Sequence, residues 1–169
     1  MVEILFCRFY NNVHLKFPVE HATLRNNGFL KPNAYIELSV DAKNTRRTVF
    51  QKSTYMPKFD EEFTVLVTPN SILLFRCYDQ SSFRKDTLIG EQTVFLSQIL
   101  KHYNGRCENL ELNMDLLYES KSENRQIKNG ELVAVLNGLN IDLTSVVFVN
   151  NGAVCVNCFE LFNVSFFIL

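Results

Sequence analysis

The run Phe63-Thr64-Val65-Leu66-Val67-Thr68-Pro69-Asn70-Ser71-Ile72-Leu73-Leu74-Phe75-Arg76-Cys77-Tyr78 decides the fold. Phe63, Val65 and Val67 recur at every second position, and residues two apart in an extended chain share a face, so this is a strand with one side buried. Thr68-Pro69-Asn70-Ser71 has the composition of a turn, and the stretch Ile72 to Tyr78 returns after it, which predicts a hairpin.

The same period extends outward. Leu15, Phe17 and Val19 alternate near the start. Ile36, Leu38 and Val40 follow a loop that holds Asn26-Asn27-Gly28 and Lys31-Pro32-Asn33. A further strand is predicted from Arg47 to Lys52, and Tyr55-Met56-Pro57-Lys58 interrupts the pattern because proline has no amide to give a ladder. Downstream, Asp79 to Asp86 reads as a polar loop before Leu88-Ile89-Gly90 restarts a strand, and Ser97 to Tyr103 is the best short helix. Asn109 to Leu116 and Glu131 to Leu136 supply two late strands, with Glu119 to Asn129 as a charged, solvated linker between them. The count of about eight strands predicts an all-β fold, an eight-stranded antiparallel sandwich with a short helix in a loop.

Composition limits what such a fold can do. With 47% hydrophobic residues, 15 Phe and no Trp among 169 residues, the chain can fill a core. Seventeen Lys and Arg against 18 Asp and Glu leave a net charge of −1, so no global field draws it to nucleic acid, and attraction to an anionic surface must come from a local patch. Cys7, Cys77, Cys107, Cys155 and Cys158 are an odd set without the density of a disulfide scaffold, which suits reduced thiols and a cytoplasmic location. The start, Met1-Val2-Glu3-Ile4-Leu5-Phe6-Cys7-Arg8, has an acid where a signal peptide needs basic residues. These features divide the chain into an extension over residues 1–12, a domain over 13–142 and an apolar tail over 143–169. Asn150, Asn151, Asn157, Glu160 and Asn163 weigh against a membrane-spanning helix in the tail.

Several segments together resemble a C2 domain. They are Leu15-x-Phe17-x-Val19 with Ala22 and Leu24, Tyr35-Ile36-Glu37-Leu38, Met56-Pro57-Lys58-Phe59-Asp60-Glu61-Glu62-Phe63, and Cys77-Tyr78-Asp79 through Leu88-Ile89-Gly90. Within that family the chain resembles the N-terminal domain of Itch-like HECT ubiquitin ligases, through Val65-x-Val67-Thr68-Pro69, Gly130-Glu131-Leu132 and Leu136-Asn137-Gly138-Leu139. The WW and catalytic HECT segments of those ligases have no counterpart in this sequence. The resemblance therefore implies a targeting module rather than an enzyme, and no catalytic residue or cofactor is expected. The tail has no counterpart in the family pattern.

The resemblance also implies three loops at one end of the sandwich. In calcium-dependent members, five Asp on such loops hold the ion; the matching positions here are Asn27, Asn33, Asp79, Ser81 and Thr87, with Asp86 one place from the last. Because calcium sites depend on several charged oxygens, no metal is expected, and Asp79 and Asp86 read as turn caps. The loops would gather Arg25, Phe29, Leu30, Lys31, Met56, Phe83, Arg84 and Lys85 into an apolar point ringed by cations, suited to an anionic phospholipid membrane surface. The alternative for Phe29 and Met56 is a fold back onto the core. A second lipid-binding candidate is Arg47 with Lys52 on the basic strand, weighed against a plain solvated face. A partner protein, either a ligase catalytic domain or an adaptor, is the rival to the membrane.

The remaining signals carry less. Cys155-Val156-Asn157-Cys158 is a single C-x-x-C with no second pair, so neither zinc nor a redox motif follows. His14, His21 and His102 have no nucleophile motif near them. Asn163-Val164-Ser165 fits a glycosylation pattern that matters only in a secreted protein.

Overall fold

The computed structural model describes residues 13–26, 30–120, 125–141, 146–149 and 152–155. Strands form where the apolar alternation is regular: β1 (Val13–Leu24), β2 (Ala34–Val40), β3 (Asn44–Arg47), β4 (Lys58–Val67), β5 (Ile72–Asp79) and β6 (Thr87–Phe95). Helix α1 (Leu96–His102) follows, then β7 (Arg106–Cys107), β8 (Leu110–Ser120), β9 (Arg125–Leu136) and β10 (Leu139–Asn140). In the tail, β11 (Val146–Val149) pairs with β12 (Gly152–Cys155), so a β-hairpin stands there.

Eight strands are ordered β3-β2-β5-β6-β8-β9-β1-β4, all antiparallel. One pair, Glu91 with Leu117, is all that joins β6 to β8, so the sheet folds there into two layers. Gly90 stands at this seam because a Cβ would lie 2.8 Å from the carbonyl carbon of Leu116. The layers face each other across a core. Phe17 of β1 meets Phe75 of β5 edge-on, with ring centroids 5.9 Å apart and planes at 72°. The alternating sets Leu15, Phe17 and Val19, then Ile36, Leu38 and Val40, then Phe63, Val65 and Val67 are all buried in that core. Each large aliphatic or aromatic side chain so placed contributes roughly 1.5–3 kcal/mol.

Three expectations need correction. The predicted hairpin over Phe63 to Tyr78 is a crossover: β4 pairs with β1, whereas β5 pairs with β2 and β6 in the other layer. Both strands bury one face in the same core, so alternation alone does not tell an adjacent partner from an opposite one. The turn is held from the far side, where the Asp41 carboxylate accepts from Ser71 Oγ and from the Ile72 amide, each at 2.8 Å.

The strand expected from Arg47 to Lys52 instead ends at Arg47. Past it, the Thr48 hydroxyl accepts from the Ile36 amide at 3.0 Å, and the Val49 amide turns to Glu61 Oε1 at 2.7 Å. The regular ladder is broken there, yet the chain stays beside β2: the Thr48 amide bonds to the Ile36 carbonyl at 2.9 Å, and Ala34 and Gln51 form an isolated antiparallel bridge. Finally, the linker expected over Glu119 to Asn129 is largely strand, with paired residues running from Leu117 with Lys128 to Ser120 with Arg125. Its polar side chains read as a solvated linker, yet antiparallel pairing needs only backbone groups. The short helix begins and ends one residue earlier than expected, with Leu96 and Leu100 buried.

Candidate functional site

Register fixes which loops share an end. β1 ends at Leu24, β2 begins at Ala34, β5 ends at Asp79 beside Ala34, and β6 begins at Thr87. Residues 25–26 with 30–33, residues 48–57 and residues 80–86 therefore lie in loops 1, 2 and 3 at one tip. Hydrogen bonds stitch them together. Loop 1 meets loop 2 through Thr54 N–H to the Pro32 carbonyl at 3.1 Å and Tyr55 O–H to the Leu30 carbonyl at 3.2 Å. Loop 1 meets loop 3 through Gln80 N–H to the Asn33 carbonyl at 2.9 Å. The β8–β9 hairpin continues past Leu24 on the same side, and the Arg25 amide bonds to the Asn129 carbonyl at 2.7 Å.

Four large apolar side chains of these loops face water: Leu30 is 89% exposed, Val49 65%, Met56 68% and Phe83 98%. Exposed side chains of this size on adjoining loops are candidates for contact with a partner or a membrane. Met56 thus points to solvent and not to the core. Around them Arg25, Lys31, Lys52, Arg84 and Lys85 are exposed. Among the described residues, none of these five enters an ion pair. Phe29 and Asn27 lie outside the described residues.

Arg47, at the end of β3, lies near loop 3, where its charge adds to the bonds that hold the Asp86 carboxyl low. It opposes Glu37 on the outer face of β3, and its guanidinium lies 6.0 Å from the centre of the Tyr35 ring. Arg76, on β5 beside Glu37, is held by Glu91 at 3.0 Å and by Glu37 at 3.7 Å. Acids and bases balance on that face. Lys52 sits in loop 2, with its ammonium 6.0 Å from the centre of the Phe50 ring.

The tip carboxylates are occupied. Asp79 Oδ1 accepts the Asn33 amide at 2.8 Å; Asp86 accepts the Ser81 amide at 3.0 Å and the Tyr35 hydroxyl at 2.9 Å. The Ser81 amide, with the Tyr35 hydroxyl second, holds the Asp86 carboxyl below its ordinary range. Burial, then the bond to Asp86, pushes the Tyr35 phenol up to about 12. Among the described residues, no group of three or more His, Cys, Asp or Glu is placed to hold a metal ion.

Two features escaped the sequence reading. The Tyr35–Asp86 bond spans 51 positions, and no local pattern announces it. A groove of about 570 Å³ opens where β6 and β8 part, walled by Val94, Phe95, Ile99, Glu111 and Met114 among others. It forms because only one residue pair joins those strands. No helix of the described residues is long and apolar enough to cross a membrane.

A layered antiparallel sandwich with three stitched loops at one end defines a class, and the family model for the C2 domain matches residues 13–112. The chain belongs to the C2 domain family. It is similar to E3 ubiquitin-protein ligase RSP5 of Saccharomyces cerevisiae, 25% identical over an alignment of 139 residues that covers 76% of this chain and 17% of that protein. It is also 35% identical to E3 ubiquitin-protein ligase pub3 of Schizosaccharomyces pombe over 57 residues, 34% of this chain and 7% of the ligase. The expected kinship with HECT-type ligases is borne out at this level, and the chain spans less than a fifth of either relative.

Among solved structures, a C2 domain of plant extended synaptotagmin 1 superposes with a TM-score of 0.61 at 17% identity, covering 76% of this chain and 94% of that one. The paired C2 domains of extended synaptotagmin 2 give 0.57 at 19%, covering 83% and 46%. At such identities the likeness is one of fold.

Proposed function

We propose that this C2 domain is a calcium-independent, non-catalytic module that docks its loop tip on an anionic phospholipid membrane surface from the cytoplasm. The observation that carries the reading is the exposure of Leu30, Met56 and Phe83 beside five exposed cations without ion-pair partners among the described residues. Apolar side chains enter the headgroup boundary, while each Lys or Arg near an anionic surface adds roughly 1 kcal/mol. Calcium independence is supported by the donor bonds already made to Asp79 and Asp86, and by the scarcity of other acidic oxygens at the tip. Read with its ligase relatives, the domain would bring a linked or associated ligase activity to the membrane.

Sedimentation with vesicles tests this directly. In EDTA, the chain should pellet with phosphatidylserine-containing vesicles and progressively less as salt rises. Reversing Arg84 and Lys85 to Glu should weaken that binding by about two orders of magnitude, since each reversal replaces an attraction with a repulsion. Equal recovery with neutral and anionic vesicles would sink the proposal. The groove between β6, α1 and β8 favours a second reading, a protein-interaction or autoinhibitory module that holds an adaptor or a ligase catalytic domain. Under that reading the reversal leaves partner binding intact.

A further inference from the structure

Asn33 touches both other loops of the tip. Its Oδ1 accepts the Ser53 amide of loop 2 at 3.1 Å, and its Nδ2 donates to the Gln80 carbonyl of loop 3 at 3.4 Å. Its backbone is engaged as well: the amide donates to Asp79 Oδ1 at 2.8 Å, and the carbonyl accepts from Gln80 at 2.9 Å. The partners fix which end of the side-chain amide points where, because an N–H needs the oxygen and a carbonyl needs the nitrogen. A carboxylate of the same shape could only accept. It would face the Gln80 carbonyl without a proton to offer and would stand near the Asp79 carboxylate.

We propose that Asn33 is the positioning residue of the docking tip, joining loops 2 and 3 through one side-chain amide so that the apolar point and its cations share a fixed arrangement without a bound metal. This rests on the membrane-docking reading and adds how the surface is held ready. Preorganised surfaces bind more tightly because less ordering remains to be done on contact.

The test uses the full chain and three variants: Asn33→Asp, Asn33→Ala, and the exchanged pair Asn33→Asp with Asp79→Asn. Hydrogen–deuterium exchange is read over residues 51–56 and 80–86, with the core strands as internal control. Binding to phosphatidylserine-containing vesicles is measured in EDTA. Asn33→Asp should speed exchange in both loops, leave the core unchanged and weaken vesicle binding about tenfold. The exchanged pair relieves the repulsion between carboxylates but still leaves the Gln80 carbonyl without the donor, so it should recover only part of the loss and keep loop 3 exchanging faster than in the parent chain. Asn33→Ala loses both bonds without adding charge, so it carries the exchange readout should the Asp variant fail to fold.

Unchanged exchange in either loop overturns the proposal, as does faster exchange with unaltered vesicle binding, or an exchanged pair that recovers the parental exchange in full, which would make charge and not the amide donor the cause. If the unsubstituted chain ignores anionic vesicles, the docking reading itself falls, and the role given to Asn33 falls with it. That failure shows in the parent chain, whereas failure of this inference alone shows only in the variants.

Discussion

Tyr35 joins the core to the tip. Its ring is buried, stacks on Tyr78 with centroids 5.4 Å apart, and sends its hydroxyl to Asp86 in loop 3. Burial pushes its ionisation up to about 12, and burial does the same to the Cys77 thiol, also to about 12. Both groups are neutral when protonated, so their stabilising effect is complete below their ordinary values of 10.0 and 9.0 and is lost as pH rises through about 12. Melting temperature should therefore fall between about pH 9 and 12, and Tyr35→Phe should flatten the part above about pH 10. An unaltered alkaline profile in that variant would contradict the assignment. At this scale the sequence shows its apolar residues well: Leu15, Phe17, Ile36 and Leu38 are buried where their spacing puts them. It hides Asn33 and Tyr35, whose roles depend on partners brought close only by folding.

Each element's face follows from its own residues, whereas its partner follows from topology. The period of β4 and β5 is plain, yet the turn between them carries the chain from one layer to the other. Asp41 supplies the reason from 30 positions away, through Ser71 and the Ile72 amide. Asp41→Ala removes both bonds and should cost about 1–3 kcal/mol in urea unfolding. A loss below about 0.5 kcal/mol would mean that the crossover is held by packing alone. The β8–β9 hairpin was hidden for another reason. Its outer half, Leu117 to Ser120 paired with Arg125 to Lys128, is largely polar, so the alternation that betrays a half-buried strand is weak there. Basic strand β3 shows a third limit, since Arg47 is legible as a cation while the acids Glu37 and Glu91 that balance its face come from other strands.

For the molecule as a whole, near-neutral charge means that any membrane affinity is local, set by which loops the two layers bring to one end. The sequence contains no tryptophan, so Phe83→Trp would place a single indole at the outermost point of loop 3. Its emission, recorded in EDTA while phosphatidylserine-containing vesicles are added, reports directly whether that point enters the interface. The predicted result is a shift to shorter wavelength that saturates with lipid and reverses on adding salt. Emission that stays at its aqueous wavelength while the protein pellets with the vesicles would show that a different face docks, and would contradict the account.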